Sequence, residues 1–173
     1  MHLELVKPTN DYKKEFQALV WNYISHRETL YMNIYKDALE DFESYVTQLN
    51  NHANNIDIPK GWVAYDTYWL IMKENDEVII LGNFRLRHEL VDGAGHIGYD
   101  IRPDRRGQGY GHKILELGLK KAMKFDFSEV IITCDSINES SKRIIERCNG
   151  KLSRTFYDGE SKENRLEYLI RLL

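Results

Sequence analysis

The chain has 173 residues, 42% hydrophobic and 29% charged, with a net charge of −3. That size suits one domain over residues 1–173 with a core of its own, and the acidic balance argues against non-specific nucleic-acid binding as the main activity. No apolar run approaches the ~18 residues of a membrane span, and two cysteines, Cys134 and Cys148, make neither a disulfide framework nor a metal site.

The N-terminus has no charged stretch leading into an apolar one, so no signal peptide is read and a reduced, cytoplasmic setting is the simple expectation. Residues 3–6 read as a first strand. Asn10 or Asp11 is expected to cap a helix in which Phe16, Leu19, Val20 and Tyr23 recur at helical spacing. A second helix is expected over about residues 35–52, with Leu39, Phe42, Val46 and Leu49 on one face and acidic residues in its first turns, where the dipole favours them. Pro59 and Gly61 break the chain. Residues 67–72 and 77–80 read as strands around a polar turn, the second running on towards His88. Residues 91–95 form the next hairpin loop and residues 96–101 the strand after it, ended by Pro103.

The helix over residues 110–124 carries Ile114, Leu115, Leu119, Ala122 and Met123 on one face, with three lysines towards its end. Residues 130–134 are a continuous apolar run, read as a buried strand. Ser141, Ile144, Ile145 and Cys148 mark another helix, closed by Asn149 and Gly150. Residues 151–157 and 165–172 read as two last strands around Asp158 and Gly159. One strand–helix–strand unit thus sits in an otherwise antiparallel sheet. The expected class is α/β of the α+β type, a mixed, mostly antiparallel central sheet flanked by about four helices. Trp21, Trp62 and Trp69 are assigned to the core, and both cysteines are read as buried small hydrophobes.

One stretch is costly for any fold. Residues 101–112 read IRPDRRGQGYGH, with glycine at three alternate positions between a strand and a helix. The first turn of a helix has amides without internal partners, and its dipole favours negative charge. Glycines let a ligand approach such amides closely. Arg102, Arg105 and Arg106 add positive potential. The pattern implies a phosphate or pyrophosphate site. It is not the Walker loop, and the dinucleotide fingerprint fails because its last glycine position is His112.

Arg106-Gly107-Gln108-Gly109-Tyr110-Gly111 has the form Arg-x-x-Gly-x-Gly, which resembles the pyrophosphate-binding signature of the GNAT-family N-acetyltransferases. Residues 96–103 resemble the strand that precedes it, and residues 138–150 the later helix that opens with Asn and closes at Gly. Residues 86–90 and 133–135 resemble a bacterial subgroup of that family. The likeness covers residues 60–173 well and is vague over the first 60.

The resemblance implies acetyl-CoA as cosubstrate and no metal. Backbone amides of Gly107, Gln108, Gly109, Tyr110 and Gly111 would hold the pyrophosphate, with Arg106 supporting the loop. Tyr99, Asp100 and Ile101 would pair their backbone with the pantetheine arm, where the fourth and fifth strands splay apart. Asn138 would contact the cofactor with Ser141 near it; Asn138 reads equally well as an ordinary helix cap. The reaction would be direct attack of a primary amine on the thioester, with a base removing its proton. His88, Glu89 and His96 flank the fourth strand and are the candidates for that base. Their plainer readings are exposure or ion pairs with Arg85 or Arg87. A metal held by His88 and His96 lacks a third ligand. The family's helix tyrosine, seven residues after Asn138, is Ile145 here, so the acid for the departing thiolate is unassigned; Tyr157 and Tyr168 are substitutes. Tyr23, Tyr31 and Tyr35 are read as packing groups, some of which would line an acceptor pocket.

The acceptor would be a small-molecule or peptide amine, and the acidic charge balance mildly suits a cationic one. No nucleic-acid or membrane partner is expected, and a homodimer is left open. The competing reading is a non-catalytic CoA-binding sensor or pseudoenzyme.

Overall fold

Residues 2–159 and 161–172 are described by the structure, a computed structural model. Among these residues seven strands form one sheet: β1 (His2–Val6), β2 (Tyr65–Glu74), β3 (Glu77–Val91), β4 (Gly95–Ile101), β5 (Glu129–Asp135), β6 (Lys151–Asp158) and β7 (Glu163–Arg171). Their order is β1-β2-β3-β4-β5-β7-β6. Every neighbouring pair is antiparallel except β4 and β5, which run parallel around the α5 crossover. Asn75 and Asp76 turn β2 into β3 with φ of +50° and +65°, the left-handed pair that a tight hairpin requires.

Six helices among the described residues cover the sheet: α1 (Lys13–Ser25), α2 (Thr29–Tyr35), α3 (Asp37–Glu40), α4 (Phe42–Ala53), α5 (Tyr110–Ala122) and α6 (Glu139–Arg147). The first of these starts later than expected. Thr9 accepts the Asp11 amide and caps a 3-10 turn over Asn10–Tyr12, so neither Asn10 nor Asp11 is the cap. The expected second helix is three. Asp41 is extended, with φ of −139°, and its carboxylate accepts the Ser44 amide at 3.1 Å to start α4.

Alternation along β2 divides the core in two. Trp69 and Ile71 face α1–α4, packed with Phe16, Leu19, Val20, Tyr23 and Tyr35. Leu70 and Met72 face α5 and α6, with Phe84, Leu86, Ile97, Ile114, Leu115 and Ile145. Close approach of α5 to β3 depends on Gly118, where a Cβ would stand 2.1 Å from the Phe84 ring. The run in β5 alternates rather than being buried throughout: Val130, Ile132 and Cys134 are buried, Ile131 and Thr133 half-buried.

Three side chains expected in the core are not there. Trp21 and Trp62 are each 58% exposed and Met123 50%. Trp21 lies off the stripe set by Phe16, Val20 and Tyr23, Trp62 precedes β2 outside any element, and Met123 follows the last turn of α5. Trp69 is fully buried. Both cysteines are free and buried, and burial pushes their thiols up. Among the described residues no helix is long and apolar enough to cross a membrane.

Candidate functional site

Strands β4 and β5 stay together over one end only. Gly95 and Ile97 both register with Ile132, and His96 bulges between them. Its Nδ1 accepts the Ile131 amide at 3.0 Å, so a side chain takes the place of a ladder bond. Gly95 is required there: its φ is +68°, and a Cβ would stand 2.5 Å from the Ile131 carbonyl oxygen. Beyond Ile97, β4 keeps its β3 partners, from Arg85 opposite Gly98 to Gly82 opposite Ile101, and pairs with nothing on its β5 side among the described residues. A wedge therefore opens along residues 98–101, edged by unpaired backbone.

The wide end of the wedge leads into the glycine loop. Gly107 and Gly109 have φ of +74° and +87°, and a Cβ at either would meet nothing within 4 Å. Gly109 caps α5 without a side chain, and Lys113 is the first residue to bond back, to the Gly109 carbonyl at 3.2 Å. The amides of Tyr110, Gly111 and His112 are left for a ligand or solvent. Gly111 differs from the other two glycines. A Cβ there would stand 2.6 Å from Ile144 Cδ1, so it seats α6 against α5.

Arg106 faces away from that opening. Its Nε donates to the Ile101 carbonyl at 2.9 Å, and its two terminal nitrogens bond Glu28 at 2.5 and 2.9 Å. It ties the loop to the turn between α1 and α2. Arg102 pairs with Asp104 at 2.7 Å, and Gln108 donates to the Asp104 carbonyl.

Side chains of the wedge strand alternate between the two faces. Asp100 is buried towards α1 and α2, where the hydroxyls of Tyr23 and Tyr35 both donate to its carboxylate. Burial pushes its pKa up against these bonds and the charges of Arg85 and Arg106. Its side chain is thus taken, leaving only its backbone for the wedge. Tyr31 stacks on Tyr23 at 4.7 Å, so the three tyrosines form one packed group. Tyr99 points the other way. Its hydroxyl is buried beside Ser141, and burial, opposed by a hydrogen bond with that side chain, pushes its pKa up to about 12. Asn138 accepts the Ser141 amide at 3.0 Å and is the cap of α6.

The expected catalytic residues do not form one cluster. His88 packs its ring 5.0 Å from Phe125, with Nε2 3.5 Å from Asp66. Glu89 is exposed. His96 is buried, and first burial, then Arg87, lowers its pKa. Because Nδ1 already accepts a hydrogen bond, a neutral ring carries its proton on Nε2 and has no free basic nitrogen. That removes His96 from the base candidates. Tyr157 is 65% exposed on the edge strand β6, with β7 between it and β5; two strand spacings, roughly 10 Å, hold it away. Tyr168 donates to Glu146 at 3.1 Å and is pushed up to about 12, first by burial. Ile145 is fully buried. Among the described residues no group of His, Cys, Asp and Glu could hold a metal ion.

Sequence reasoning missed a pocket of about 200 Å³ on the α1–α4 face, lined by Trp62, Tyr65, Arg85, Arg87 and Ala94 among others. Arg87 donates to the carbonyls of Ala94 and Gly95 at 3.2 and 3.3 Å; neither arginine pairs with Glu89 or a histidine. The only signal was two arginines spaced to share a strand face.

The family model for the acetyltransferase (GNAT) domain matches residues 2–151. No curated protein matches the chain in sequence. Solved structures share the fold. The microcin C7 self-immunity acetyltransferase MccE, bound to acetyl-CoA and AMP, is 16% identical with a TM-score of 0.71, over 98% of this chain and 92% of that one. RimL, the ribosomal L7/L12 α-N-protein acetyltransferase in complex with coenzyme A, is 16% identical with a TM-score of 0.73, over 98% and 94%. A chimera of the spermidine N-acetyltransferase SpeG from Vibrio cholerae and hSSAT is 12% identical with a TM-score of 0.65, over 99% and 96%. At such identities the likeness establishes the fold, and the family match, which spans the wedge and the glycine loop, adds the lineage: this chain belongs to the GNAT acetyltransferase family.

Proposed function

We propose that the chain is an acetyl-CoA-dependent N-acetyltransferase that moves the acetyl group to a primary amine by direct attack. The observation that carries this is the alignment of two open backbone surfaces. Uncapped amides at the start of α5 continue into the unpaired edge of β4. The first suits a diphosphate and the second an extended amide-bearing arm. Open space at Gly107 and Gly109 fits close approach of phosphate oxygens. The acetyl-CoA and CoA held by MccE and RimL support the same choice of ligand.

In this reading the amides of residues 107–112 hold the diphosphate, and the backbone of residues 98–101 takes the pantetheine and offers an N–H to the oxyanion. Arg106 positions the loop through Ile101 and Glu28. Glu89, through water, or His88 removes the proton from the attacking amine. Tyr99 supplies the hydroxyl for the departing sulfur that Ile145 lacks. The acceptor is a small-molecule or peptide amine, and the setting is cytoplasmic. Calorimetry with CoA, followed by thiol release from acetyl-CoA with a panel of amines, tests the reading: saturable binding and amine-dependent release are expected. Tight CoA binding with no turnover would favour the sensor reading, for which the buried Ile145 speaks. Absence of CoA binding by folded protein would end both.

A further inference from the structure

The pocket beside the wedge carries charge of one sign. Arg85 and Arg87 leave β3 two residues apart on the same face. Arg85 Nε is sealed from solvent with no hydrogen-bond partner, and no ion pair among the described residues includes this side chain. Its guanidinium carbon lies 5.9 Å from the ring centroids of both Tyr35 and Tyr65. A cation withdrawn from water without an acceptor is costly.

The groups around Arg85 do not supply that acceptor. Asp100 is among the groups that, against burial, raise the Arg85 pKa, but no hydrogen bond joins the two: its carboxylate already takes both tyrosine hydroxyls, and burial favours its neutral form. Burial likewise keeps Tyr35, Tyr45 and Tyr65 neutral. His52 is hydrogen-bonded to Tyr65, and burial lowers its pKa. Arg87 points its donors at two backbone carbonyls, which leave its charge unbalanced. The pocket also borders the reaction zone. Arg85 is the register partner of Gly98, the first β4 residue beyond the β5 pairing, and space is open where a Gly98 Cβ would stand. Facing pairs in antiparallel strands hold their Cβ positions about 5 Å apart on one face.

We propose that this pocket binds an oxyanion, carboxylate or phosphate, carried by the acceptor, so that the substrate is an amine bearing an anionic group rather than a polyamine. The inference rests on the acetyltransferase reading above and narrows its acceptor. A guanidinium fork matches two oxygens of such a group. The rings of Trp62 and Tyr65, 6.2 Å apart, offer a flat apolar wall for the part of the substrate between anion and amine. The acidic balance of the whole chain pointed to a cationic acceptor, and the pocket reverses that sign.

The test is CoA release with matched acceptors: phenylalanine against phenylalaninamide, phosphoethanolamine against ethanolamine, and spermidine alone. One anionic member should show a KM about tenfold to a hundredfold below that of its neutral partner, the range of one charged hydrogen-bonded contact. The two pairs distinguish carboxylate from phosphate. In Arg85→Gln the preference should fall to within about twofold with CoA affinity unchanged, and Arg85→Lys should keep part of it. Equal use within both pairs, preference for spermidine, a preference that survives Arg85→Gln, or turnover of none by protein that binds CoA overturns the proposal. Protein that binds no CoA takes this inference and the acetyltransferase reading down together; protein that binds CoA but ignores charge takes down only this one.

Discussion

Gly109 concentrates two constraints in one residue. Its φ of +87° is a region that β-branched residues avoid, and the space beyond its α-carbon is open. Gly109→Val is therefore expected to cost about 1–3 kcal/mol of stability and to weaken CoA binding more than tenfold, read by calorimetry on protein whose circular dichroism is native. Glu89→Gln tests a different step. Turnover should fall by about a hundredfold, the usual scale of general-base loss, with CoA affinity unchanged. The loop was legible in the sequence because its chemistry is local: six consecutive residues set both the turn and the amides. Asp100 and Arg85 were not. Asp100 gets its meaning from Tyr23 and Tyr35, 77 and 65 residues away, and Arg85 from a buried Nε with no hydrogen-bond partner among the described residues, which no spacing reveals.

Between elements, the contacts that hold the wedge open can be tested one at a time. His96 links β4 to β5 through the Ile131 amide, and burial holds its pKa below the unfolded value of about 6.5. A depressed histidine contributes stability above that value, and the contribution is lost as pH falls through the folded pKa, because only the unfolded chain takes the proton. Stability should thus decline below about pH 6.5, and His96→Gln, which keeps an acceptor without titrating, should flatten part of that decline in urea titrations. The α5–β3 contact should be as sensitive to size. Gly118→Ala places a methyl against the Phe84 ring and is expected to cost about 1–3 kcal/mol, seen as a lower Tm, with Phe84→Leu in the same chain restoring part of it. The apolar period made α5 readable, as its buried Ile114 and Leu115 bear out. The second helix was misread because Asp41, one acid among several in the expected first turns, is a cap that starts a new helix.

At the scale of the whole molecule, one sheet serves both cores. Neighbouring residues of β2 enter opposite sides, Trp69 towards α1–α4 and Leu70 towards α5 and α6. Neither side can lose its packing and leave the strand in place for the other. A single cooperative transition is expected, with the fluorescence shift of buried Trp69 and far-ultraviolet circular dichroism coinciding in urea; separated midpoints would divide the chain into two units. The mixed sheet order was legible from the sequence of strands and helices. The face on which the acceptor would lie was not, since it is set by which side of β3 carries Arg85.

The burial of Cys134 and Cys148 has a practical consequence at the bench. A colorimetric reagent for free sulfhydryls reacts with thiolates, and both native side chains are shielded and held in the protonated form. Product formation can be followed continuously with such a dye against a low protein background. The same dye, added without substrate, becomes a clock for the moment at which the fold lets go.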